Sequence, residues 1–157
     1  MNVGEKLEDD AELLLRQVHP AFVRDGRPSS QVFRPTSKDA GMLSVNRGAS
    51  TEPESAFTRF VARPGCRSCG VLAVSVAECG AEQLAAHDAP LTLDPDGDDD
   101  PSHAIVDFRG IAKNAVEKKS GRLVRVAVAR GFLHGPVDKV EAGAGSSQAA
   151  VAADPET

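Results

Sequence analysis

The chain has 157 residues, of which 41% are hydrophobic and 26% charged, so it can bury one core and is not disordered throughout. The net charge is −5 and the basic stretch 113–130 has no aromatic residue among its lysines and arginines, which disfavours a nucleic-acid binder. No apolar run approaches the roughly 20 residues that span a bilayer, which predicts a protein outside the membrane.

Both ends of the chain are rich in small or polar residues. The acidic segment 1–12 lacks the basic start and apolar stretch of a secretory signal, which predicts a cytoplasmic protein. The usage of Ala, Gly, Val and Arg is typical of a GC-rich bacterial genome. We predict disordered tails at 1–12 and 137–157, because neither segment can bury enough apolar surface to offset the entropy of ordering. Residues 13–136 then form a single domain.

Short strands and one helix are predicted in the first half of that domain. Residues 13–18 (LLLRQV) favour a strand, although their apolar spacing also fits a helical face. Residues 30–33 and 42–45 are strand-like pieces separated by a loop. Thr51 and Glu54 have the spacing of a capping box and predict a helix over 52–62, which stops before Pro64 and Gly65.

The second half begins with residues 71–76, which are mostly aliphatic on both strand faces and predict a central strand. A short helix at 81–86, an exposed acidic loop at 94–101 and a strand at 103–108 follow. Residues 111–130 favour a helix ending at Gly131, although the part from 122 to 130 also fits a strand. The whole pattern predicts an α+β fold, with a mixed sheet of about four or five strands and two main helices.

The three cysteines suggest a metal site. Cys66 and Cys69 stand two residues apart before Gly70, which is the spacing of one half of a zinc knuckle. Cys79 and His87 are the candidates for the other two ligands, which makes zinc the one candidate cofactor. The alternative is that Cys69 and Cys79 are core residues at the two ends of a buried strand.

Arg16, Ser44 and Glu78 each lie in or at the end of a predicted strand, in that order. This order resembles the Arg-Ser-Glu class of mono-ADP-ribosyltransferases. The resemblance implies that the arginine holds a phosphate of NAD, the serine shapes the nicotinamide pocket and the glutamate stabilises the cationic sugar. His19 and Ser30 could complete a polar pocket beside Arg16, although such side chains also commonly satisfy loop backbone groups.

Charge is segregated along the chain. No lysine or arginine occurs from Ser68 to Phe108, whereas the predicted C-terminal helix is basic. Since no complete catalytic motif is present, we expect an accessory protein that binds a protein partner through charged surfaces rather than an enzyme. The alternatives are the NAD-utilising enzyme and a small zinc-stabilised domain. The candidate partner-binding residues are Lys113, Lys118, Lys119, Arg122 and Arg125.

Overall fold

The computed structural model describes residues 3–92 and 99–137, together with the backbone of 141–142. Most of the predicted acidic loop and of the predicted C-terminal tail lies outside these residues. The strands are β1 (Leu13–Gln17), β2 (Val23–Arg24), β3 (Arg27–Pro28), β4 (Met42–Arg47), β5 (Arg67–Ser68), β6 (Val71–Ser75), β7 (Ala85–Asp88), β8 (His103–Asp107) and β9 (Glu141–Ala142). The α-helices are α1 (Pro53–Val61), α2 (Val76–Ala81) and α3 (Lys113–Arg130).

Five of these strands form one sheet in the order β6-β1-β4-β8-β7, and two-stranded pairs form between β2 and β3 and between β5 and β9. The fold is therefore α+β, as predicted. Every pair of neighbours in the main sheet is antiparallel, so the sheet is not mixed. Apolar patterning indicates that a strand is buried but not its direction. No helix among the described residues is long and apolar enough to cross a membrane.

One face of the sheet is covered by α3 and by a short 3₁₀ helix at Ser30–Phe33. The sequence predicts a strand at 30–33, but Ser29 accepts a hydrogen bond from the Gln31 backbone and starts a helical turn instead. The side chains buried in this layer include Leu14, Val18, Phe33, Leu43, Val45, Leu72, Val74, Leu123 and Ala127.

The opposite face is only partly covered. Helix α1 packs Ala56 and Phe57 against Leu15 and Ala73, which belong to β1 and β6. Side chains alternate along a strand. In β4, Leu43 and Val45 point to the first face, so the residue that follows each of them points to the second face. They are Ser44 and Asn46, both polar and partly buried. The middle of the second face is thus a polar floor beside α1.

Strand β6 was predicted to be central, but it lies at one edge of the sheet. Its five residues are nonetheless buried, because α1 and α3 cover its two faces and the chain after α3 covers its edge. The Val71 backbone exchanges hydrogen bonds with His134 and Leu133, each 2.9 Å long. Apolar residues that point to both faces of a strand therefore indicate that both faces are covered. They do not indicate where the strand lies in the sheet.

Residues 3–12 also differ from the predicted tail. Gly4 donates a backbone hydrogen bond of 2.6 Å to Asp88, and Leu7 donates one of 2.8 Å to Ala86, so this segment runs along the free edge of β7. The Leu7 side chain is buried in the core. Edge strands carry unpaired backbone groups, and pairing with them orders a segment whose composition alone predicts disorder.

Helices α1 and α2 depart from their predicted starts or positions. The N-cap of α1 is Glu52, which makes no side-chain cap hydrogen bond, so the expected capping box at Thr51 is not formed. A capping box does form at α2, where Ser75 and Glu78 bond each other's backbone N–H groups. As a result, the predicted helix at 81–86 is replaced by α2 at 76–81, followed by strand β7.

Candidate functional site

Strands β1 and β4 separate after a short stretch of pairing. Their backbones pair only at Leu14 with Arg47 and at Leu15 with Asn46. Arg16 lies where they part: its Nε donates 2.7 Å to the Val32 carbonyl and its Nη1 donates 2.9 Å to the Ser44 carbonyl. The guanidinium thus satisfies backbone oxygens that no strand reaches, and the parting opens a cleft.

The cleft has a volume of about 330 Å³. Its wall is rich in cations, with Asp100 as the acidic residue among the described lining. Two phenylalanines, Phe22 and Phe60, add ring surface. The basic lining residues are Arg16, His19, Arg63, Arg67 and His103.

Burial lowers the pKa of Arg16, because it disfavours the charged form, while the charge of Asp39 acts in the opposite direction. Arginine nevertheless stays protonated in proteins. The floor of the cleft therefore carries a partly desolvated positive charge that a bound anion would stabilise.

His19 stands at the mouth of the cleft, immediately after β1. Its pKa is lowered by burial and by the nearby positive charge of Arg67. The ring Nδ1 accepts a hydrogen bond of 3.0 Å from the Ala21 backbone, so in the neutral ring the proton sits on Nε2. His19 therefore offers one N–H donor and is not a strong base.

Asp100 is held by several donors. The hydroxyl of Ser102 and the amide of Asn46 bond it at 2.7 and 2.9 Å, and Arg59 lies 3.5 Å away. Burial on its own would raise the pKa of Asp100, but these hydrogen bonds outweigh it and the pKa is lowered. Its negative charge is engaged with its own neighbours, which leaves the cleft with a net positive lining.

Ser44 and His103 form a polar pair in the cleft. The Nδ1 of His103 lies 2.8 Å from the Ala89 carbonyl, which can only accept, so Nδ1 carries a proton. In the neutral ring Nε2 is then an acceptor, and it lies 3.1 Å from the Ser44 hydroxyl oxygen. The serine hydroxyl consequently donates to an unprotonated imidazole nitrogen.

Gln17 has unused hydrogen-bonding capacity beside this pair. Both its amide nitrogen and its amide oxygen are buried and have no hydrogen-bond partner among the described residues. Gln17 also lines the cleft. An unpaired buried amide costs roughly 1–3 kcal/mol, and such groups are uncommon in folded proteins.

Of the pocket residues predicted from sequence, Arg16, His19 and Ser44 come together. Glu78 does not: it bonds Arg130 at 2.7 Å and the Ser75 backbone at 2.7 Å, and it does not line the cleft. Ser30 accepts a hydrogen bond from Arg34 and also lies outside the lining. The arginine and serine of the Arg-Ser-Glu order therefore meet without the glutamate.

The predicted zinc ligands do not form a cluster. No group of three or more His, Cys, Asp or Glu side chains suited to a metal ion occurs in the described part of the chain. Cys69 and Cys79 are buried, and burial raises the pKa of both thiols, to about 12 for Cys79. His87 instead has its Nδ1 3.2 Å from the Gly4 carbonyl. These positions match the alternative that the two cysteines are core residues.

The predicted basic residues of α3 divide into two sets. Glu82, at the end of α2, accepts hydrogen bonds from Lys119 to its carbonyl and from Arg122 to its carboxylate. Lys113, Lys118 and Arg125 are exposed and have no ion-pair partner among the described residues. Part of the acidic middle of the chain therefore faces α3.

The pocket predicted from sequence does not include His103, Gln17, Arg63 or Arg67. His103 is 59 residues from Ser44, and only the pairing of β4 with β8 brings them together. Arg63 and Arg67 flank the Cys66 turn, where their clustering was a signal for a basic rim.

Comparisons with protein-family models, curated proteins and solved structures find no match to this chain. The class that the fold and site define is an α+β domain with a cationic cleft.

Proposed function

We propose that this protein binds a small organic anion in the cleft between β1 and β4, with a nucleoside phosphate as the best-matched class. The observation that carries the proposal is the lining of the cleft, in which three arginines, Arg16, Arg63 and Arg67, stand against one carboxylate, Asp100. Arginine presents planar N–H donors that fit phosphate and carboxylate oxygens.

The remaining lining supports an organic rather than a purely inorganic anion. Phe22 and Phe60 provide apolar ring surface on which a planar base can stack. Gln17 supplies a donor and an acceptor that are both unused among the described residues. A base edge carries complementary donors and acceptors, so one nucleotide would use both parts of the cleft.

Calorimetric titration of the protein with AMP, ADP, NAD⁺ and inorganic phosphate tests the proposal. We expect a nucleotide to bind more tightly than phosphate, and Arg67→Ala to weaken it about tenfold, which corresponds to about 1.4 kcal/mol. Arg67 is exposed, so this variant should fold. Arg125→Ala, an exposed arginine outside the cleft lining, is the matched control and should bind like the parent.

Binding that is equal in the parent and the Arg67→Ala protein would contradict the proposal, as would the absence of heat with every anion. Tight binding of phosphate alone would remove the nucleoside part and keep the anion site.

We propose charge-led binding of a protein partner as a second candidate. The supporting observation is that Lys118 and Arg125 are exposed and have no ion-pair partner among the described residues. They are seven residues apart on α3, which places them on the same side of the helix.

A further inference from the structure

Ser44 and His103 have the arrangement that activates a serine as a nucleophile. The hydroxyl oxygen lies 3.1 Å from Nε2, the ring nitrogen left unprotonated by the bond between Nδ1 and the Ala89 carbonyl. A serine is a weak nucleophile until a base accepts its proton, and a fixed imidazole tautomer is what makes histidine that base. Here a backbone carbonyl fixes the tautomer.

We propose that Ser44 is a catalytic nucleophile and His103 its general base, and that together they hydrolyse a carboxylic ester that carries an anionic group. The proposal rests on the proposed anion-binding cleft, because the basic lining that includes Arg67 would hold the anionic end of such a substrate in the cleft that Ser44 also lines. Both members of the pair line this cleft.

The reaction has two balanced steps. Ser44 Oγ forms a bond to the ester carbonyl carbon as its proton passes to His103 Nε2 and the carbonyl electron pair moves to oxygen. The tetrahedral intermediate then expels the alcohol, which takes the proton from His103. Water then attacks the carbonyl carbon of the acyl-serine and gives a proton to His103 Nε2. The bond between that carbon and Ser44 Oγ breaks, the carboxylic acid leaves, and His103 returns the proton to Oγ.

The negative oxygen of the intermediate requires a donor. Gln17 follows Leu15 by two residues in β1, so its side chain lies on the same face of the sheet as that of Ser44, beyond the point where β1 and β4 part. The buried Gln17 amide nitrogen has no partner among the described residues, and Gln17 shares the cleft lining with Ser44. Its amide is therefore the donor that this site offers to a developing oxyanion.

Labelling of the full chain with a fluorophosphonate probe, followed by peptide mass mapping, tests the nucleophile. We expect the adduct on Ser44, its loss in Ser44→Ala, and labelling slowed by more than about 100-fold in His103→Gln. Ser55→Ala changes an exposed serine of α1 outside the cleft and should label like the parent. Circular dichroism shows whether each variant is folded. Ser44→Cys, reacting instead with iodoacetamide, tests the position if the alanine variant fails to fold.

Hydrolysis of p-nitrophenyl hemisuccinate and p-nitrophenyl acetate, an anionic and a neutral ester, tests the substrate class. We expect the anionic ester to be preferred in the parent and the preference to be lost in Arg67→Ala. Labelling that persists in Ser44→Ala, or no adduct on Ser44 of the folded parent, overturns the inference. Anion binding without labelling overturns the nucleophile and leaves the proposed function standing. Labelling without anion binding supports the nucleophile and overturns the proposed function.

Discussion

Arg16 shows how one side chain shapes this protein. It occupies a strand position in β1, yet it bonds the backbone carbonyls of Val32 and Ser44 and so closes the gap between two strands. These bonds use two of the five N–H groups of its guanidinium. Arg16 therefore holds two parts of the backbone together and also lines the proposed site.

His19 makes stability depend on pH. Its pKa is lowered from 6.5 by burial and by Arg67, so below about pH 6.5 the unfolded chain takes up a proton that the folded chain does not. The free energy of unfolding should therefore fall as the pH is lowered from 7 to 5. His19→Gln should show a smaller fall, measured by urea unfolding at a series of pH values. Arg67→Ala should shift the profile in the same direction, whereas profiles that superimpose for parent and His19→Gln would contradict this.

At the scale of elements, an ion pair ties the start of β1 to the end of β4. Arg47 bonds the two carboxylate oxygens of Glu12 at 2.8 and 3.0 Å, and it also lies 3.4 Å from Asp88. Hydrogen bonding to Glu12 raises the pKa of Arg47 despite its partial burial. The Glu12 side chain is only 3% exposed, so water can offer its carboxylate little in place of this partner.

Replacing Arg47 with methionine should lower the free energy of unfolding by about 2–3 kcal/mol, because it leaves a buried carboxylate without its partner. Chemical denaturation at neutral pH measures the loss. Arg109→Met is the matched control: Arg109 pairs with Asp107 on the surface, and its removal should leave stability unchanged within error. Equal losses of unfolding free energy in the two variants would show that the ion pair of Arg47 with Glu12 contributes no more to stability than a surface ion pair.

At the scale of the whole molecule, some of the charged residues that are segregated along the chain form ion pairs in the folded protein, and others are left exposed. Glu78 and Glu82 of the acidic middle pair with Arg130 and Arg122 of α3, each at 2.7 Å. Lys118 and Arg125 are left exposed. Opposite charges close in space neutralise one another, whereas these two residues and the cationic cleft keep charge that can attract other molecules.

If α3 binds a partner through these charges, capture from an extract of the native host should weaken steeply between about 0.05 and about 0.5 M sodium chloride, as screening shortens the range of the field. The double variant Lys118→Glu with Arg125→Glu should lose the captured protein even at low salt. Arg27→Glu, a charge change at an exposed position of β3, is the control. Capture that is insensitive to salt would contradict the second candidate.

The sequence predicted most of the helices and strands, but fewer of the contacts that these elements make. The apolar periodicity of α1, α3 and β1 is local, so it identified them correctly. It misassigned residues 30–33 and 81–86, because the Ser29 and Ser75 caps decide the local structure there. The segment 3–12 was predicted as a tail because its order comes from the edge of β7, which lies more than 70 residues away in the chain.

For the site, the sequence by itself determined which chemically capable residues were present and singled out Arg16, His19 and Ser44, because polar side chains within or beside apolar strands are conspicuous. The tertiary structure alone decided that Glu78 and the cysteines lie elsewhere, and that His103, Gln17, Arg63 and Arg67 join the cleft. The reason is physical: strand order and register bring residues 59 positions apart to within 3.1 Å, and no local pattern encodes them.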